Sequence, residues 1–465
     1  MANSYDVLIV GAGPGGYVCA IRAAQLGLKT GIVDKQWLGG VCLNIGCIPS
    51  KALLKNAEVA ETLRHRGRDF GFSVDNLTLD YAAAVKRSRQ VSARLVKGVD
   101  FLMRKNKIDV HMGTARLSGR SAVSVTNAEG QTQNLEAKNI VIATGARAAL
   151  IPGIAADGRK VLTYTEAILQ EKLPASVVII GGGAIGVEFA TVWNAYGAKV
   201  TVVEMLPTLV PREDEELGTL LAKQFERAGI GVKTGTKVEG LDAGGDLVKV
   251  KISGPAGAET LEAEQTLVAI GFKPNSENLG LEALGVKVER GFVQVDERLQ
   301  TNVPGVWAIG DVTGKFMLAH VASAQGIACA EAMAGQAPAA LDYGAMPSAT
   351  YCHPQVASFG LTEQKAKAQG IEVQVARFPF QANGKALGLA DYQGFVKIVT
   401  GAKYGEILGA HLIGPEVTEL LPELTLARQA ELTIEDIAHN VHAHPSLSET
   451  LGEAAHGLAG GYIQI

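Results

Sequence analysis

The sequence contains little cysteine, little proline and little charge of either sign. Five cysteines form an odd and sparse set, which argues against the disulfide framework of a secreted protein. Sixteen prolines and 19% charged residues are too few for a disordered linker. Lysine and arginine number 43 against 47 acidic residues, and a net charge of −4 leaves no basic surplus for nucleic acid or an anionic membrane.

Two further absences concern targeting. No apolar run approaches the roughly 18 residues that a membrane span needs, and the N-terminus lacks the positive region of a signal peptide. We therefore expect no membrane span, no nucleic-acid partner and, by default, a cytoplasmic protein. In that reducing compartment a close cysteine pair should be redox-active or bind metal.

Glycine, in contrast, is abundant. It supplies 55 of 465 residues, about 12%, where about 7% is usual. The hydrophobic content of 47% is ample for several cores, and the length suggests about three domains. A glycine surplus in such a chain indicates many tight turns at which the backbone approaches something closely.

An internal repeat accounts for part of that glycine. Val7–Asp34 and Val177–Glu204 align without a gap at an offset of 170 residues. Each has a run of β-formers, then G-x-G-x-x-G, a helical stretch, and a second apolar run that closes on a carboxylate. That carboxylate lies 23 positions after the first glycine in both copies. This is the full βαβ fingerprint for a dinucleotide.

Each part of the fingerprint has a physical role. The first glycine permits the tight turn, the second leaves room for the pyrophosphate, and the third lets the helix pack on the sheet. One such motif is weak and can be a plain glycine-rich turn, but two copies in register argue against that interpretation. The six glycines are Gly11, Gly13 and Gly16 in the first copy, and Gly181, Gly183 and Gly186 in the second.

The closing carboxylates, Asp34 and Glu204, are expected to accept hydrogen bonds from ribose hydroxyls. Met205 and Leu206 follow Glu204, so no cation is available there for a 2′-phosphate. The second copy therefore favours NAD over NADP.

Two shorter motifs also fit a nucleotide domain that is split in the sequence. Residues 139–146 predict a buried strand that runs into Thr144 and Gly145, and residues 301–312 predict a short strand before Gly310 and Asp311. A carboxylate just past a strand end can accept from a cofactor hydroxyl, although alone it is more often an ordinary turn residue.

The predicted order of strands and helices changes from about residue 345. Residues 395–400 and 406–414 predict strands, and residues 416–431 and 434–439 predict helices. We expect a separate α+β domain here.

Cys42 and Cys47 are separated by four residues. On an ideal helix this step rises about 7.5 Å and turns about 140°, which is too far for a disulfide. A bridge therefore requires an irregular turn, which Gly39, Gly40 and Gly46 can supply. A structural disulfide does not suit the cytoplasm, and a zinc half-site would want a shorter spacing and a second pair. A catalytic dithiol beside a nucleotide is the favoured interpretation.

Histidines cluster near the C-terminus, at His439, His442 and His444, with Glu449 close by. A histidine can move a thiol proton near neutral pH, and a carboxylate can orient its ring. A metal site is an alternative, with His442 and His444 on one face of a strand, and a polar loop is another. The spacing alone does not choose among them.

The two fingerprints, the segment GGVCLNIGCIPSKALL and the segment HAHPSLSE together resemble the flavoprotein disulfide reductases. The resemblance covers essentially the whole chain and is closest to the members that oxidise dihydrolipoamide. It implies an α/β fold with two Rossmann-like domains, for FAD and NAD, and a C-terminal α+β dimerisation domain. The expected ranges are 1–148 for the first part of the FAD domain, 149–272 for the NAD domain, 273–344 for a second FAD and central segment, and 345–465 for dimerisation.

The resemblance also assigns cofactor contacts. It places FAD on the first fingerprint with Asp34, and NAD on the second with Glu204. Glu188 is expected near Lys51 by the flavin. The further FAD contacts it implies are Lys51, Ala115, Ala143, Thr144, Gly145, Asp311, Met317, Leu318, Ala319 and His320; Gly271 is expected near NAD, and Val238 is a further cofactor contact.

By the same resemblance, Cys42 is the thiol that exchanges with the lipoyl sulfurs and Cys47 is the flavin-facing thiolate. His444 is the base for the dihydrolipoyl proton, held by Glu449, whereas His442 lies outside the catalytic position. In this family the histidine comes from the other subunit, which implies a homodimer. The implied partner is a lipoyl-bearing acyltransferase of a 2-oxo acid dehydrogenase complex, or the carrier protein of the glycine cleavage system.

The chain departs from the family pattern at four positions, and none of them touches the redox relay. Val41 stands where threonine is usual, Asp34 where glutamate is usual, Ala115 where glycine is frequent, and Gln355 where glutamate is common.

Two alternatives remain for the activity. The first is a sister reductase for glutathione or mercuric ion. Glu204 argues against the NADPH of glutathione reductases, and the cysteine pair that mercuric reductases carry near the C-terminus is missing after Cys352. The second is a nucleotide-binding structural subunit without disulfide turnover, which the intact set of cysteines, histidine and glutamate disfavours.

Overall fold

The computed structural model describes residues 4–465, which form strands β1–β24 and α-helices α1–α13. The strands are β1 Ser4–Val10, β2 Thr30–Asp34, β3 Asp109–Met112, β4 Thr114–Gly119, β5 Ala122–Thr126, β6 Thr132–Ile142, β7 Ala146–Ala148, β8 Val161–Leu162, β9 Ser176–Ile180, β10 Lys199–Val203, β11 Gly231–Lys233, β12 Lys237–Asp242, β13 Val248–Gly254, β14 Gly257–Ala263, β15 Gln265–Val268, β16 Phe272–Pro274, β17 Val288–Glu289, β18 Phe292–Val293, β19 Val306–Ala308, β20 Ser348–Thr350, β21 Gln355–Gly360, β22 Val373–Pro379, β23 Phe395–Gly401 and β24 Ile407–Gly414.

The α-helices are α1 Pro14–Gln25, α2 Gly40–Ile45, α3 Cys47–Glu61, α4 Tyr81–Lys105, α5 Tyr164–Ala167, α6 Ala184–Tyr196, α7 Glu215–Arg227, α8 Ala319–Met333, α9 Glu363–Ala368, α10 Gly384–Gly388, α11 Val417–Gln429, α12 Ile434–His439 and α13 Glu449–Ala459. A π-helical turn spans Thr62–Arg66, and 3-10 turns span Gly67–Phe70, Glu282–Leu284, Gly310–Thr313, Tyr343–Ala345 and Phe380–Ala382. No helix within residues 4–465 has both the length and the apolar character needed to cross a bilayer.

The chain forms two compact units, each discontinuous in sequence. The first contains the chain up to Ala52, Val85–Ala149 and Gly271–Leu341. Its main sheet has the order β3-β2-β1-β6-β5-β4, with β19 also paired to β6. Strands β3, β2, β1, β6 and β19 pair in parallel, while β5 and β4 continue antiparallel. Helices α1 and α8 pack through small residues, since a Cβ on Gly326 of α8 would lie 2.6 Å from the carbonyl oxygen of Gly15 of α1.

The second unit contains Leu53–Ala84, Leu150–Ile270 and Asp342–Ile465. It has a parallel sheet of order β11-β10-β9-β15-β8, a small antiparallel sheet β12-β13-β14, and a five-stranded antiparallel sheet β20-β21-β24-β23-β22. Helices α11, α12 and α13 share a core with that last sheet.

Strands β1 and β9 each end one residue before a fingerprint glycine, so both glycine turns lie at the carboxyl edge of a parallel sheet. Ligands of open α/β sheets bind at that edge. The two parallel βαβ sheets and the C-terminal antiparallel sheet with helices confirm the fold class predicted from the sequence.

Candidate active site

The two cysteines lie on consecutive helices. Cys42 is in α2, the helix ends at Gly46 with φ −131° and ψ −115°, and Cys47 begins α3. The break brings the side chains together, and the two thiols are hydrogen-bonded to each other without a disulfide. An ideal helix would hold them apart, so the irregularity at Gly46 is what makes a redox pair possible at this spacing.

The cysteine segment is attached to the first glycine turn through its backbone. The amide of Gly39 donates to the carbonyl oxygen of Ala12 at 2.8 Å. A Cβ on Gly40 would lie 2.6 Å from the Cα of Gly13, and Gly39 and Gly40 have φ values of 85° and 58°. Only glycine adopts that conformation without strain at so close an approach. The pair therefore lies next to the turn that is suited to a pyrophosphate.

Two polar residues that the sequence analysis did not single out hold this segment. The side-chain amide of Asn44 donates to the carbonyl oxygens of Leu38 at 3.0 Å and Gly40 at 2.9 Å. The guanidinium of Arg89, on α4, donates to the carbonyl oxygen of Asn44. Asn44 lies between the cysteines, which was a usable signal, whereas no local pattern links Arg89 to them.

The thiols affect each other's protonation. The hydrogen bond that Cys42 makes with Cys47, together with burial, raises the pKa of the Cys42 thiol. The positive charge of Lys51 acts in the opposite direction and lowers that pKa. The proton is therefore retained on Cys42, and a single negative charge is better placed on Cys47. Burial, together with the nearby Cys42 and Cys47, also raises the pKa of Tyr17, which the sequence analysis missed.

The glycine turns have the same shape in both copies. A Cβ on Gly11 would overlap the carbonyl oxygen of Ala143, and a Cβ on Gly16 would overlap that of Gly11. A Cβ on Gly13 would meet nothing within 4 Å, so open space lies before the N-terminus of α1. The second copy has the same arrangement. A Cβ on Gly181 would overlap the carbonyl oxygen of Ala269, and a Cβ on Gly186 would overlap that of Gly181. A Cβ on Gly183 would meet nothing within 4 Å, so open space lies before α6 as well. Both turns fit a dinucleotide pyrophosphate.

The closing carboxylates also make equivalent bonds. One oxygen of Asp34 accepts from the amide of Ala12 at 2.8 Å, and one oxygen of Glu204 accepts from the amide of Gly182 at 2.7 Å. The other oxygen of each carboxylate accepts from a backbone amide in the turn that follows. Asp34 accepts from Gln36 and Glu204 accepts from Leu206, both at 2.8 Å. Each acid is therefore held against its glycine turn, although Asp34 has the shorter side chain.

Asp311 has a different environment. Burial raises the pKa of its carboxyl group to about 6, and no hydrogen bond within residues 4–465 offsets that effect. The residue lies just past β19, beside Gly310, whose amide donates to Gln325 at 2.6 Å. A desolvated carboxylate at this edge suits a ligand that donates hydrogen bonds, as the hydroxyls of a flavin nucleotide do.

The strand-end turn predicted at residues 143–145 is also present. The hydroxyl of Thr144 donates to the carbonyl of Asn275 at 2.7 Å, and the amide of Asn275 donates to the carbonyl of Gly145 at 3.0 Å. Gly145 has φ 67°. These two hydrogen bonds therefore fix the turn to the residue that follows β16, in the same compact unit.

The remaining predicted contacts occupy varied places. Leu318 and Ala319 start α8, with Met317 just before them and His320 exposed in the first turn. The side chain of Ala115 is buried in a core, so only its backbone could reach a cofactor. Val238 lies in β12 and is paired with Ile252, and Gly271, with φ 127°, directly precedes β16. Glu188 lies in α6, and its carboxylate accepts from the amide of Tyr351 at 3.0 Å.

His444 and Glu449 form a hydrogen-bonded pair at 2.9 Å between Nδ1 and Oε1. The His444 side chain is 79% exposed, and with Nδ1 donating to Glu449 its Nε2 is directed to accept a proton. Burial raises the pKa of Glu449, but the amide of Ser446 and the His444 ring outweigh burial and lower it overall. Glu449 therefore remains ionised and can orient the ring.

His442 takes a different carboxylate. Its Nε2 lies 3.0 Å from Glu423, and the hydrogen bond to that glutamate raises the pKa of His442. The alternative in which His442 and His444 share one face of a strand is wrong, because residues 440–448 form no strand. Pro445 lacks the amide that a strand ladder would use.

Two family models match this chain. The pyridine nucleotide-disulphide oxidoreductase model matches residues 5–326, and the dimerisation domain of the same family matches residues 346–455. The chain belongs to the pyridine nucleotide-disulphide oxidoreductase family. Membership of this family implies FAD and NAD as cofactors, which the two glycine turns fit.

Members of the family are similar over the full length. A dihydrolipoyl dehydrogenase of Mycobacterium leprae is 51% identical over 99% of both chains, and one of Corynebacterium glutamicum is 47% identical over 100% of both. Among solved structures, LpdA of Mycobacterium tuberculosis has a TM-score of 0.91 at 26% identity, covering 98% of this chain and 99% of that one. The HOCl-induced flavoprotein disulfide reductase RclA of Escherichia coli has a TM-score of 0.85 at 27% identity, covering 97% and 99%.

Proposed function

We propose that the protein oxidises protein-bound dihydrolipoamide to lipoamide with NAD as acceptor, which is dihydrolipoyl dehydrogenase activity. The observation that carries the proposal is the hydrogen-bonded pair of Cys42 and Cys47, attached by its backbone to the first glycine turn. The names of the full-length relatives support the choice of substrate. The absence of a cation after Glu204 supports NAD.

In the proposed reaction the enzyme starts with a Cys42–Cys47 disulfide. One sulfur of dihydrolipoamide attacks the sulfur of Cys42, the disulfide breaks, and Cys47 leaves as a thiolate. The second lipoyl sulfur then attacks the first, which releases lipoamide and leaves Cys42 as a thiol. The pKa raised at Cys42 supports this outcome, because the proton is retained there and the negative charge lies on Cys47.

The proton of the second attacking thiol passes to the Cys42 sulfur as that sulfur leaves, so Cys42 ends as a thiol. His444 accepts the proton that the first attacking thiol loses and retains it. Its Nε2 is the accepting atom, and Glu449 holds the opposite nitrogen at 2.9 Å and stabilises the imidazolium. When bound, FAD would carry the electron pair from the dithiol to NAD. Of the residues that would hold it, Asp311 would accept a hydrogen bond from a hydroxyl of the cofactor, and the first glycine turn with Asp34 would receive the adenosine half.

We also propose that the active form is a homodimer in which each site takes its histidine from the other subunit. The dimerisation-domain match at residues 346–455 supports this assembly. The first fingerprint with residues 1–148 and 273–344 would bind FAD, residues 149–272 would bind NAD, and residues 345–465 would form the interface. A lipoyl-bearing acyltransferase or the glycine cleavage carrier protein is the proposed macromolecular partner, in the cytoplasm.

A steady-state assay of the holoenzyme tests the activity. We expect rapid reduction of NAD by dihydrolipoamide and at most slow reduction of NADP. Reduction of oxidised glutathione by NADPH, without dihydrolipoamide oxidation, would instead identify a sister reductase and contradict the proposal.

Complementation tests the shared site. Cys42→Ser and His444→Ala dimers should each be inactive, but a hybrid dimer of the two has one complete site if the histidine crosses subunits. Random co-assembly should then restore about a quarter of the wild-type rate. No recovery in hybrids confirmed to form would show that each subunit uses its own histidine.

A further inference from the structure

An ion cluster with a buried centre at Lys397 and Asp214 joins the start of helix α7 to the antiparallel sheet of the same unit. Lys397 on β23 is fully buried, and its Nζ lies 2.9 Å from the equally buried carboxylate of Asp214 and 2.6 Å from that of Glu216. Glu363 lies 3.2 Å from the same Nζ. Arg377 on β22 binds Glu216 at 2.7 Å and Glu363 at 2.6 Å.

Such a cluster is poorly explained by stability alone. Burying two opposite charges costs about as much free energy as their attraction returns. Mutating one partner of a buried pair, in contrast, leaves the other charge buried without compensation. A buried pair does, however, fix the groups that it joins in one geometry. Lys397 therefore fixes the position of Asp214, at the start of α7, against the sheet.

Asp214 ends the loop 205–214, which begins directly after Glu204. Within that loop the amide of Val210 donates to the carbonyl of Gly182, inside the second glycine turn, at 2.8 Å. Val210 has φ 42°, a strained conformation for a β-branched residue that persists only where its surroundings impose it. The loop is therefore held on the glycine turn at some conformational cost.

Contacts on the far side of the loop impose that conformation. The amide of Glu213 donates to the carbonyl of Val210 at 2.9 Å. The carboxylate of Glu213 accepts from the hydroxyls of Ser348, at 2.8 Å, and Ser358, both on the antiparallel sheet. Asp214 caps α7 by accepting from the amide of Glu216 at 3.1 Å and is itself bound by Lys397.

The first copy of the repeat shows what a loop in this position can do. There the amide of Gly39 donates to Ala12, the residue equivalent to Gly182, also at 2.8 Å. That loop leads to the redox cysteines. The loop after the carboxylate thus contacts the same carbonyl of the glycine turn in both copies, and in the second copy it lies beside the turn suited to the pyridine nucleotide.

We propose that Lys397 is a positioning residue for NAD, which it serves through Asp214 by holding the loop 205–214 against Gly182 and Glu204. This inference rests on the proposed function for the identity of the nucleotide. The nucleotide touches the loop and the glycine turn, whereas Lys397 acts on it only through those elements.

The test uses the full-length holoenzyme, with Lys397→Met to remove the cation at similar side-chain length. The NADH dissociation constant, measured by fluorescence titration, should rise about tenfold or more, as expected when a buried charged hydrogen bond is lost. Amides of residues 205–214 should exchange hydrogen faster without nucleotide. The KM for NAD should rise, while the KM for dihydrolipoamide stays within about twofold of wild type.

Asp214→Asn is the second variant. Asparagine still caps a helix, but its single carbonyl oxygen cannot serve both the Glu216 amide and Lys397. Lys172→Met is the matched control, since it removes an 82% exposed partner of Glu264 in the same part of the chain and should change none of these readouts.

An unchanged NADH dissociation constant in Lys397→Met would overturn the inference. If that variant does not fold, an unchanged NADH dissociation constant in Asp214→Asn would overturn it instead. Equal rises in both KM values would also overturn it, because they would indicate a general loss of structure. NADH binding and hydrogen exchange need no dihydrolipoamide. A failure of the proposed activity is therefore distinguishable from a failure of this inference.

Discussion

Cys42 and Cys47 are hydrogen-bonded across the Gly46 break, each on its own helix. The two sulfurs consequently have unequal surroundings, and the proton is retained on Cys42. This asymmetry assigns the two cysteines different roles, which substitution can separate.

Cys42→Ser should lower dihydrolipoamide turnover by about a thousandfold or more, because the exchanging sulfur is lost. Cys47 would keep its thiolate, so the long-wavelength absorbance expected from a thiolate against the flavin should be present in Cys42→Ser and absent in Cys47→Ser. Visible spectra of the two holoenzymes measure this difference.

Cys329→Ala is the matched control for that pair. Burial and a hydrogen bond with Cys19 raise the pKa of Cys329 well above its usual value, so the thiol should be unreactive. Turnover of this variant should match wild type. Full activity of Cys42→Ser would contradict the proposed mechanism.

Arg89→Met should reduce kcat for dihydrolipoamide by about tenfold, since the carbonyl of Asn44 loses a charged donor and the cysteine segment loosens. NADH oxidation by an artificial electron acceptor, which needs no cysteine pair, should change little. Arg94→Met, at an exposed position on the same helix, should leave both activities intact. If both activities of Arg89→Met fell equally, Arg89 would act on the whole unit rather than on the cysteines.

The parts of this site that the sequence predicted are those encoded by local spacing. The glycine turns, the cysteine segment and the pair of His444 with Glu449 each lie within a few dozen residues, and their geometry follows from the backbone they share. Arg89 reaches Asn44 only because α4 returns to the cysteine segment. Its contact depends on tertiary packing that no periodicity records.

The same limit applies to the ion cluster around Lys397. The run of β-forming residues in β23 predicts a strand, but not that its buried Lys397 is paired with Asp214, more than 180 residues earlier in the chain. The alternative of a strand through His442 and His444 is wrong for a local reason, Pro445. Their carboxylate partners, Glu423 and Glu449, also lie on two different helices.

Asp311→Asn should stabilise the apoprotein and weaken FAD binding. The folded-state pKa of Asp311, about 6, lies above the value of the unfolded chain. The ionised carboxylate therefore destabilises the folded apoprotein above pH 6, and this penalty disappears as the pH falls towards 4. We expect a gain of about 1–3 kcal/mol at pH 8 and almost none at pH 4.

Thermal unfolding of both apoproteins at the two pH values measures that gain, and flavin titration measures affinity. Asp75→Asn, at an exposed position, serves as the control. A variant that bound FAD as tightly as wild type would remove Asp311 from the proposed FAD site.

Met205→Arg combined with Glu204→Ser should shift the nucleotide preference towards NADP. By the proposed function Glu204 would repel a 2′-phosphate, and an arginine at position 205, where Met205 is 64% exposed, would present a cation beside it. The ratio of kcat/KM for NAD to that for NADP should fall by about a hundredfold, mostly through loss with NAD. An unchanged ratio would mean that Glu204 does not face the ribose.

Glu216→Gln should destabilise the protein at neutral pH but not in acid. The hydrogen bond from Arg377, opposed by burial and aided by Lys397, lowers the pKa of Glu216 to about 2. The ionised form thus contributes stability that is complete above about pH 4.5 and is lost as the pH falls towards 2. Because Glu216 is 37% exposed, we expect a loss of only about 1 kcal/mol at pH 7.

The thermal midpoints of wild type and Glu216→Gln should therefore converge between pH 4.5 and pH 2.5. Lys55→Met, which removes one member of an ion pair exposed on both sides, should show no such convergence. A difference that stayed constant over this range would exclude the ionised carboxylate as its origin.

The matching bonds from Gly39 to Ala12 and from Val210 to Gly182 have an evolutionary consequence. If the two βαβ units descend from one duplicated module, the loop after the acid was present in both copies and already lay at the nucleotide. One copy then acquired thiols in the helices that follow that loop and became a redox centre, while the loop of the other became tied to a lysine on a distant strand. A new reaction could thus arise on this fold without a new loop. It would require only new side chains at a position that the ancestral module already held beside its ligand.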